Sequence, residues 1–335
     1  MNDRPVWTNE PDLASRRVGG GVVWANDELF AERENLVKPG KPEFQPWSFG
    51  HKGQIYDGWE TRRRREPGAD QAIVRLGLPG VVSGVIVDTA FFTGNYPPFA
   101  SVEAVAVEGY PSPVELSSLD WTTLVDKSPL RGDAENFFEV SSARRWTHAR
   151  LTIYPDGGVA RFRVHGAPVA DPRLLDLGAL DLAALENGAR VTEASNMFYS
   201  SPSNLISPGF ASVMGEGWET ARRRDDANDW VVIALAGAGV PRLAELDTSH
   251  FKGNAPGWAA LSGSVDGDSW FEVLPRTRLQ PDTRHRFPLV EVPELRYLRL
   301  DIYPDGGMAR LRLHGGLTEQ GRKDFTARFQ AAQPS

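Results

Sequence analysis

The sequence predicts an all-β protein made of two tandem homologous jelly-roll β-sandwich domains. Three observations lead to this fold class. The chain contains a colinear internal duplication, its apolar runs are short and rich in Val, Ile, Phe and Trp, and 33 glycines and 25 prolines separate those runs. Its 335 residues accommodate two domains at about 150 residues each.

The two copies carry matching motifs in the same order. The offset between them is 169 residues for the first two motifs, 159 for the next three and 149 for the last. The pairs are Asp12-Leu13-Ala14 with Asp181-Leu182-Ala183, Asn35-Leu36-Val37 with Asn204-Leu205-Ile206, Gly58-Trp59-Glu60-Thr61 with Gly217-Trp218-Glu219-Thr220, Asp88-Thr89 with Asp247-Thr248, Gly94-Asn95 with Gly253-Asn254, and Tyr154-Pro155-Asp156-Gly157-Gly158 with Tyr303-Pro304-Asp305-Gly306-Gly307. Because the offset falls by ten residues twice, the first copy has two additional loop segments, around Lys41 to Gly53 and between Ser112 and Arg145.

The boundary between the copies is predicted in a segment that contains two prolines. Pro168 and Pro172 interrupt regular structure there, because proline lacks the backbone N–H that helices and sheets use. We therefore expect the first repeat over residues 1–169 and the second repeat over residues 170–335, as two versions of the same jelly roll.

Alternating side chains predict the strands of each copy. Leu151–Tyr154 and Val159–His165 flank the turn Pro155-Asp156-Gly157-Gly158, which predicts a β-hairpin. Apolar and polar side chains alternate in the second run, so they lie on opposite faces of the strand. The apolar face carries Ala160, Phe162 and Val164. Further strands are predicted over Val81–Asp88, Val102–Glu108 and Trp230–Leu235, and short helical patches over Leu174–Glu186 and Thr318–Ala332.

Composition excludes several classes of protein. With 37 Lys and Arg against 44 Asp and Glu, the net charge is −7, so a general nucleic-acid binder is not expected. The absence of cysteine excludes disulfides, thiolate catalysis and zinc-finger or iron–sulfur ligation. We find no secretory signal and no apolar run of about 18 residues, so we expect a cytoplasmic protein without a membrane partner.

Two arginine-rich segments follow the repeated Gly-Trp-Glu-Thr motif. Arg62-Arg63-Arg64-Arg65 comes after Glu60, and Arg222-Arg223-Arg224 comes after Glu219. A guanidinium suits a small carboxylate or a ureido carbonyl, and a nearby Glu can orient it or act as an acid or base. In an extended stretch, alternate arginines point to opposite sides and cannot all serve one site. The alternative is a solvated charge run or a structural Glu–Arg network.

A further candidate segment places titratable groups where a predicted strand ends. His250, Lys252 and Asn254 lie within residues 247–256 of the second copy, and loops at strand ends commonly carry the sites of sandwich folds. His250 and Lys252 are candidates for proton transfer and charge stabilisation. The alternative for His250 is that it only caps the sheet.

The first copy keeps the backbone pattern of this segment but not its titratable groups. Asn95 matches the asparagine of the second copy, whereas Ala90 is taken to replace the histidine and Thr93 to replace the lysine. If the copies divide the chemistry, Glu60 and the arginines supply groups from the first copy.

The sequence predicts neither a metal site nor a phosphate-binding loop. It has no glycine-rich phosphate loop, no His-x-x-x-His and no dense His/Asp cluster suited to a transition metal. His165 and His314 end matching strands, and we interpret them as solvated. The aspartate of the Tyr-Pro-Asp-Gly-Gly motif is interpreted first as a turn residue.

These motifs together resemble the allantoicase (allantoate amidinohydrolase) family. The likeness extends from Asp12 to Gly316 and lies in the Gly-Trp-Glu-Thr pair, the segment from Asp247 to Asn254 and the two Tyr-Pro-Asp-Gly-Gly turns. In addition, residues 263–270 resemble the strand-turn-Trp stretch of galactose-binding-like jelly rolls. The resemblance implies two galactose-binding-like domains, hydrolysis of allantoate to ureidoglycolate and urea in purine catabolism, and no organic cofactor.

Allantoate carries one carboxylate and two ureido arms on a central CH, and this chemistry suggests roles for the candidates. We expect an arginine to bind the carboxylate, a glutamate and His250 to transfer protons, and Lys252 with an asparagine to polarise a carbonyl. The catalytic candidates are Glu60, Glu219, His250 and Lys252. The substrate-binding candidates are Arg63, Arg64, Arg222, Arg223, Asn95 and Asn254.

Two other functions are compatible with the sequence. A galactose-binding-like fold also serves non-catalytic modules that bind carbohydrates or other polar ligands. A hydrolase acting on another ureido substrate, such as ureidoglycolate, is a further alternative. Homo-oligomerisation is compatible with the sequence, which leaves open the oligomeric state and whether the site lies within one copy or between copies.

Overall fold

The computed structural model describes residues 4–44, 46–50 and 53–333, and the regular secondary structure of these residues is mostly β. The chain divides after Val169 into two compact units, and the segment from Ala331 onward groups with the first unit. The additional loop segment predicted around Lys41 to Gly53 contains residues 45, 51 and 52, which lie outside the described residues.

The strands of the first unit are Gly21–Ala25 (β1), Phe49–Gly50 (β2), Gly53–Gln54 (β3), Trp59–Glu60 (β4), Asp70–Asp88 (β5), Phe99–Val105 (β6), Thr122–Pro129 (β7), Glu135–Glu139 (β8), Arg145–Tyr154 (β9), Gly158–Val159 (β10) and Arg161–Pro168 (β11). Its helical segments are the α-helix Pro113–Ser117 (α1) and the 3₁₀ turns Val6–Asn9, Arg16–Val18 and Arg33–Val37. The capped helix α1 lies in the second additional loop segment predicted from the repeat offsets.

The strands of the second unit are Leu180–Asp181 (β12), Arg190–Ala194 (β13), Trp218–Glu219 (β14), Asp229–Asp247 (β15), Trp258–Ser264 (β16), Trp270–Arg278 (β17), Arg284–Pro288 (β18), Leu295–Tyr303 (β19), Gly307–Met308 (β20) and Arg310–Leu317 (β21). Its helical segments are the α-helix Glu319–Ala331 (α2) and the 3₁₀ turns Pro172–Leu177, Leu185–Asn187, Pro202–Ile206 and Met214–Glu216.

One long strand organises each unit. The first half of β5 pairs with β1 and β9, and β6 and β7 extend that layer, whereas its second half pairs with β8 and β11. The register breaks between Arg75 and Gly80, where β5 passes from one layer to the other. In the second unit β15 does the same with β13 and β19, then β18 and β21, and its register breaks between Ala234 and Gly239. The predicted all-β fold of two jelly-roll sandwiches is confirmed.

The hairpin predicted at the Tyr-Pro-Asp-Gly-Gly turn is wrong. Strand β9 pairs with β5 and β6, and β11 pairs with β5, so the turn connects two layers rather than two neighbouring strands. Alternation and turn residues look alike in both cases, and the long partner β5 offers an edge to each strand. The predicted apolar face is confirmed, because Ala160, Phe162 and Val164 are fully buried.

Each of the two glycines in this turn is required for a different physical reason. Gly157 has a φ of 141°, which side-chain-bearing residues rarely adopt. A Cβ on Gly158 would lie 2.0 Å from the ring of the buried Phe92, and one on Gly307 would lie 1.9 Å from the ring of Phe251. The Gly-Gly pair therefore lets the turn rest directly on a buried aromatic ring in both units.

Most of the remaining predicted elements are present. Strands β5, β6 and β15 contain or overlap the predicted apolar runs, and α2 matches the predicted C-terminal helix. The patch predicted as helical over Leu174–Glu186 instead contains parts of two 3₁₀ turns and strand β12, with Gly178 at a φ of 115° between them. No helix among the described residues is long and apolar enough to span a membrane.

Candidate functional site

The repeated Gly-Trp-Glu-Thr motif is anchored by its tryptophan. Trp59 is fully buried, and its indole N–H donates to the Asp27 carbonyl at 2.7 Å. Trp218 is equally buried and donates to the Asn196 carbonyl at 2.9 Å. Each tryptophan begins a two-residue strand that pairs with the Gly-Gly turn, so the following glutamate is held at a fixed position.

Each repeat joins this glutamate to the asparagine of the Gly-Asn turn. The Asn95 amide Nδ2 donates to Glu60 Oε1 at 2.6 Å, and the Asn254 amide Nδ2 donates to Glu219 Oε1 at 2.6 Å. The carbonyls of both asparagines also accept from the second glycine of the Gly-Gly turn. Four of the predicted site residues therefore form two equivalent Glu–Asn pairs, one in each unit.

The two glutamates differ in their surroundings. Glu60 is 9% exposed, and its Oε2 is buried without a hydrogen-bond partner among the described residues. Burial raises the pKa of Glu60 above its usual value, and the hydrogen bond from Asn95 opposes this rise only in part. Glu219 is only partly buried, and the amide of Asn254 also contacts Met214 Sδ at 3.2 Å. The first unit thus presents the drier carboxyl group.

The arginines of the first unit fall into two groups. Arg62 pairs with Asp27 at 2.6 Å, and Arg64 pairs with the buried Asp70 at 2.7 Å. Arg63 and Arg65 are exposed and have no hydrogen-bond or ion-pair partner in the part of the chain that the structure describes. The charge run is therefore partly structural, and Arg63 is the predicted binding residue whose guanidinium is available to a ligand.

The second unit repeats this division. Arg223 pairs with Asp229, which is fully buried, at 2.7 Å, and it also contacts Asp225 at 3.0 Å. Arg222 and Arg224 are exposed, and within the described ranges neither has a polar partner. Arg222 is therefore the counterpart of Arg63 by exposure as well as by sequence.

An aspartate of the Tyr-Pro-Asp-Gly-Gly turn fixes the backbone of each arginine segment. The Arg64 N–H donates to Asp156 Oδ2 at 2.8 Å, and the Arg223 N–H donates to Asp305 Oδ2 at 2.8 Å. These contacts agree with the turn role expected for the aspartate, because the carboxylate satisfies a backbone donor. The turn and the arginine segment are thereby held together.

The structure corrects the predicted counterpart of His250. Phe91, not Ala90, occupies the equivalent position: the backbone φ is 68° at Phe91 and 74° at His250. In both units the backbone N–H of this residue donates to an aspartate carboxylate, which is that of Asp133 in the first unit and that of Asp282 in the second. The prediction was off by one residue because the flanking Asp-Thr pair was matched without counting to the histidine.

His250 and Lys252 differ in their contacts and exposure. His250 Nε2 bonds to the Ala211 carbonyl at 2.9 Å, which ties two loops together. Lys252 is 79% exposed at its side chain, with its ammonium 4.0 Å from Asp282 Oδ2. Lys252 is thus free to reach a ligand, whereas one ring nitrogen of His250 is already engaged.

The sequence analysis missed Asp27, Asn196 and Met214 as residues of the site region. Asp27 Oδ1 accepts the Arg62 N–H at 2.9 Å, and Asn196 Oδ1 accepts the Ala221 N–H at 3.2 Å. Asp27 and Asn196 are separated by 169 residues, the offset of the first repeated motifs, so a residue-by-residue alignment of the copies could have found them.

A small surface pocket lies in the second unit. It is lined by Phe210, Glu245, Asp247, Arg284, Arg310 and Arg312. Arg310 donates to the carbonyls of Gly209 and Glu216, so its guanidinium fastens a loop to the sheet. Within residues 4–44, 46–50 and 53–333, no group of three or more His, Asp or Glu side chains could hold a metal ion.

Comparison with known proteins identifies the family. The Allantoicase repeat family model matches residues 11–169 and 180–318. A probable allantoicase of Nocardia farcinica is 60% identical over 314 residues, covering 93% of this chain and 95% of the relative, and one of Streptomyces avermitilis is 53% identical over 97% and 90%. The crystal structure of allantoicase from Saccharomyces cerevisiae is similar with a TM-score of 0.81 at 34% identity, covering 91% of this chain and 92% of that one. The chain therefore belongs to the allantoicase family.

Proposed function

We propose that the protein hydrolyses allantoate to ureidoglycolate and urea in purine catabolism, with Glu60 as the general acid. Family membership over both repeats supports the reaction and does not favour a carbohydrate-binding module. The observation that carries the residue assignment is the Glu60–Asn95 pair, in which one carboxyl oxygen is held at 2.6 Å and the other is buried without a partner.

The reaction exchanges a C–N bond for a C–O bond. The remaining ureido nitrogen donates its lone pair to the central carbon while the bond to the departing arm breaks. That arm takes one proton from Glu60 and leaves as urea. The central carbon of the substrate is then part of an acyliminium ion, and Glu60 is a carboxylate. Water then adds to this carbon and returns one proton to the carboxylate. The sum is allantoate plus water to ureidoglycolate plus urea, without a covalent enzyme intermediate.

Glu60 suits this role because burial favours its neutral form. A general acid must be protonated when the substrate binds, and an ordinary carboxyl group is ionised at neutral pH. The raised pKa of Glu60 increases the protonated fraction, and Asn95 holds the carboxyl in one orientation. The other carboxyl oxygen is buried and has no hydrogen-bond partner among the described residues, so nothing there stabilises the ionised form.

Arg63 is the proposed carboxylate-binding residue. Its neighbour Arg64 is occupied by Asp70, and the Arg64 N–H is held by Asp156. These contacts fix the backbone beside Arg63, whose exposed guanidinium offers two parallel donors to a carboxylate. Arg64 therefore contributes by positioning the segment rather than by touching the substrate.

The equivalent residues of the second repeat remain proposals. Glu219, Asn254 and Arg222 repeat the pair and the exposed guanidinium, while Lys252 adds an exposed cation. The bond from His250 to the Ala211 carbonyl favours a positioning role for His250 over direct proton transfer.

The test is urea release from purified protein. Allantoate and ureidoglycolate are incubated separately with the protein, and urea is quantified with a urease-coupled assay. We expect urea from allantoate, with at most slow release from ureidoglycolate. Faster release from ureidoglycolate would assign the protein to the other ureido substrate, and release from neither would contradict the proposal.

We further propose a cytoplasmic enzyme whose partner is the small-molecule substrate and that functions without nucleic acid. The net charge of −7 and the absence of cysteine support this proposal. A homo-oligomer is compatible with it.

A further inference from the structure

We propose that the second repeat contains a second binding site for a ureido carboxylate, which holds its ligand without expelling urea. The ligand class rests on the proposed function, whereas the site itself is built from Glu219, Asn254, Arg222 and Lys252 within the second unit.

The polar framework of this site is as well formed as that of the first repeat. Asn254 is bonded to Glu219 at 2.6 Å, the distance found in the Glu60–Asn95 pair. The asparagine of Pro202–Ile206, Asn204, donates to the Gly217 carbonyl at 2.9 Å and so supports the strand that carries Glu219. A carboxylate held in fixed geometry matches the N–H donors that a ureido group presents.

Two cations that lie within three residues of the pair in the sequence favour an anionic ligand. Arg222 is exposed and has no polar partner among the described residues. The Lys252 side chain is 79% exposed, and its ammonium lies 4.0 Å from Asp282 Oδ2. Such an exposed, long ion pair contributes little, so Lys252 is readily recruited. Arg222 can then bind a carboxylate bidentately while Glu219 accepts ureido N–H groups.

The same site lacks the features that suit Glu60 to acid catalysis. Glu219 is more exposed than Glu60, which is 9% exposed. The Asn254 amide is shared with Met214 Sδ at 3.2 Å, and the residue at the matching position of the first repeat is Ile55, which has no acceptor in its side chain. The second site therefore has groups that can bind the ligand, but its carboxyl group is less buried than that of Glu60.

The test measures how many molecules of an inert ligand bind to one chain. N-carbamoylglycine has one carboxylate and one ureido arm but no second nitrogen on its central carbon, so it cannot expel urea by the proposed route. Equilibrium dialysis with ¹⁴C-labelled N-carbamoylglycine should give two molecules per wild-type chain. We expect one per chain for R222A and two for R224A, a control that removes a neighbouring exposed arginine with no polar partner.

The outcomes are decisive without reference to catalysis. No binding to the wild-type chain, or the same number of molecules per chain in R222A as in the wild type, would overturn the second site. Urea release from allantoate by the wild-type protein is measured separately, so failure of the second site and failure of the proposed function are distinguishable. Thermal unfolding of R222A and R224A verifies that both variants are folded.

Discussion

The two repeats agree in their buried polar contacts and differ in their exposed chemistry. Both keep a Trp-to-carbonyl bond, a Glu–Asn pair at 2.6 Å and an arginine paired with a buried aspartate. Only the second has His250 and Lys252, and of the two glutamates in the Glu–Asn pairs only Glu60 is nine-tenths buried. Because an unsatisfied buried polar group is costly, the scaffold contacts persist while exposed residues change freely.

One contact shows two matched differences between the repeats, one in a hydrogen-bond acceptor and one in its donor residue. In the first repeat Asp27 binds both the backbone N–H and the guanidinium of Arg62. In the second, Ala221 has no guanidinium, and the neutral Asn196 keeps only the bond to the backbone N–H. The charge on the acceptor is thus present where its cation is present, and the backbone contact is common to both.

The largest expected effect is a loss of activity on replacement of Arg63 but not of Arg65. R63A removes the proposed bidentate contact with the substrate carboxylate, so kcat/KM for urea release from allantoate should fall by roughly 100-fold or more. R65A is the matched control, because Arg65 is also exposed and unpaired within the described residues. Equal kcat/KM values for R63A and R65A would remove Arg63 from the site.

The paired arginines should matter for stability instead. R64A leaves Asp70 buried without its cation, and R223A does the same to Asp229, so each should lower the free energy of unfolding by about 3 kcal/mol. R63A and R222A should stay within about 0.5 kcal/mol of wild type. Urea denaturation measures all four, and similar values throughout would contradict the division into structural and free arginines.

The burial of Glu60 should make the stability of the protein depend on pH. Burial raises the pKa of Glu60 in the folded protein, so the folded state binds more protons than the unfolded state between the two pKa values. The stability associated with the neutral carboxyl is complete below the unfolded pKa and is lost as pH rises through the folded one. The free energy of unfolding of E60Q relative to wild type should therefore increase with pH. A pH-independent difference would argue against a raised pKa.

The smallest effect tests the corrected counterpart of His250. H250F introduces the residue type that the first repeat carries at the same left-handed backbone position, and it removes one hydrogen bond to the Ala211 carbonyl. We expect a loss of about 1 kcal/mol in the free energy of unfolding and a folded protein. Failure to fold, measured by circular dichroism, would show that the two positions are not interchangeable.

The sequence was sufficient for the fold class because the repeats reveal themselves through short motifs. It named Glu60 and Asn95 as candidates, but their contact joins residues 35 positions apart and depends on the turn that connects the layers. The hairpin error has the same origin, since local alternation does not specify which strand is the partner. The burial of Glu60 could not be predicted either, because the motif Gly-Trp-Glu-Thr is the same around Glu60 and around the partly exposed Glu219.

We propose that the duplicated site is catalytic in the first repeat only, and the turnover of two matched variants tests this proposal most directly. E60Q and E219Q each replace a carboxyl group by an amide of the same shape, and kcat for urea release from allantoate is measured for both. General acid catalysis contributes about 100-fold to 10,000-fold, so E60Q should lose at least about 100-fold in kcat and E219Q less than about tenfold. A larger loss in E219Q than in E60Q would contradict the account.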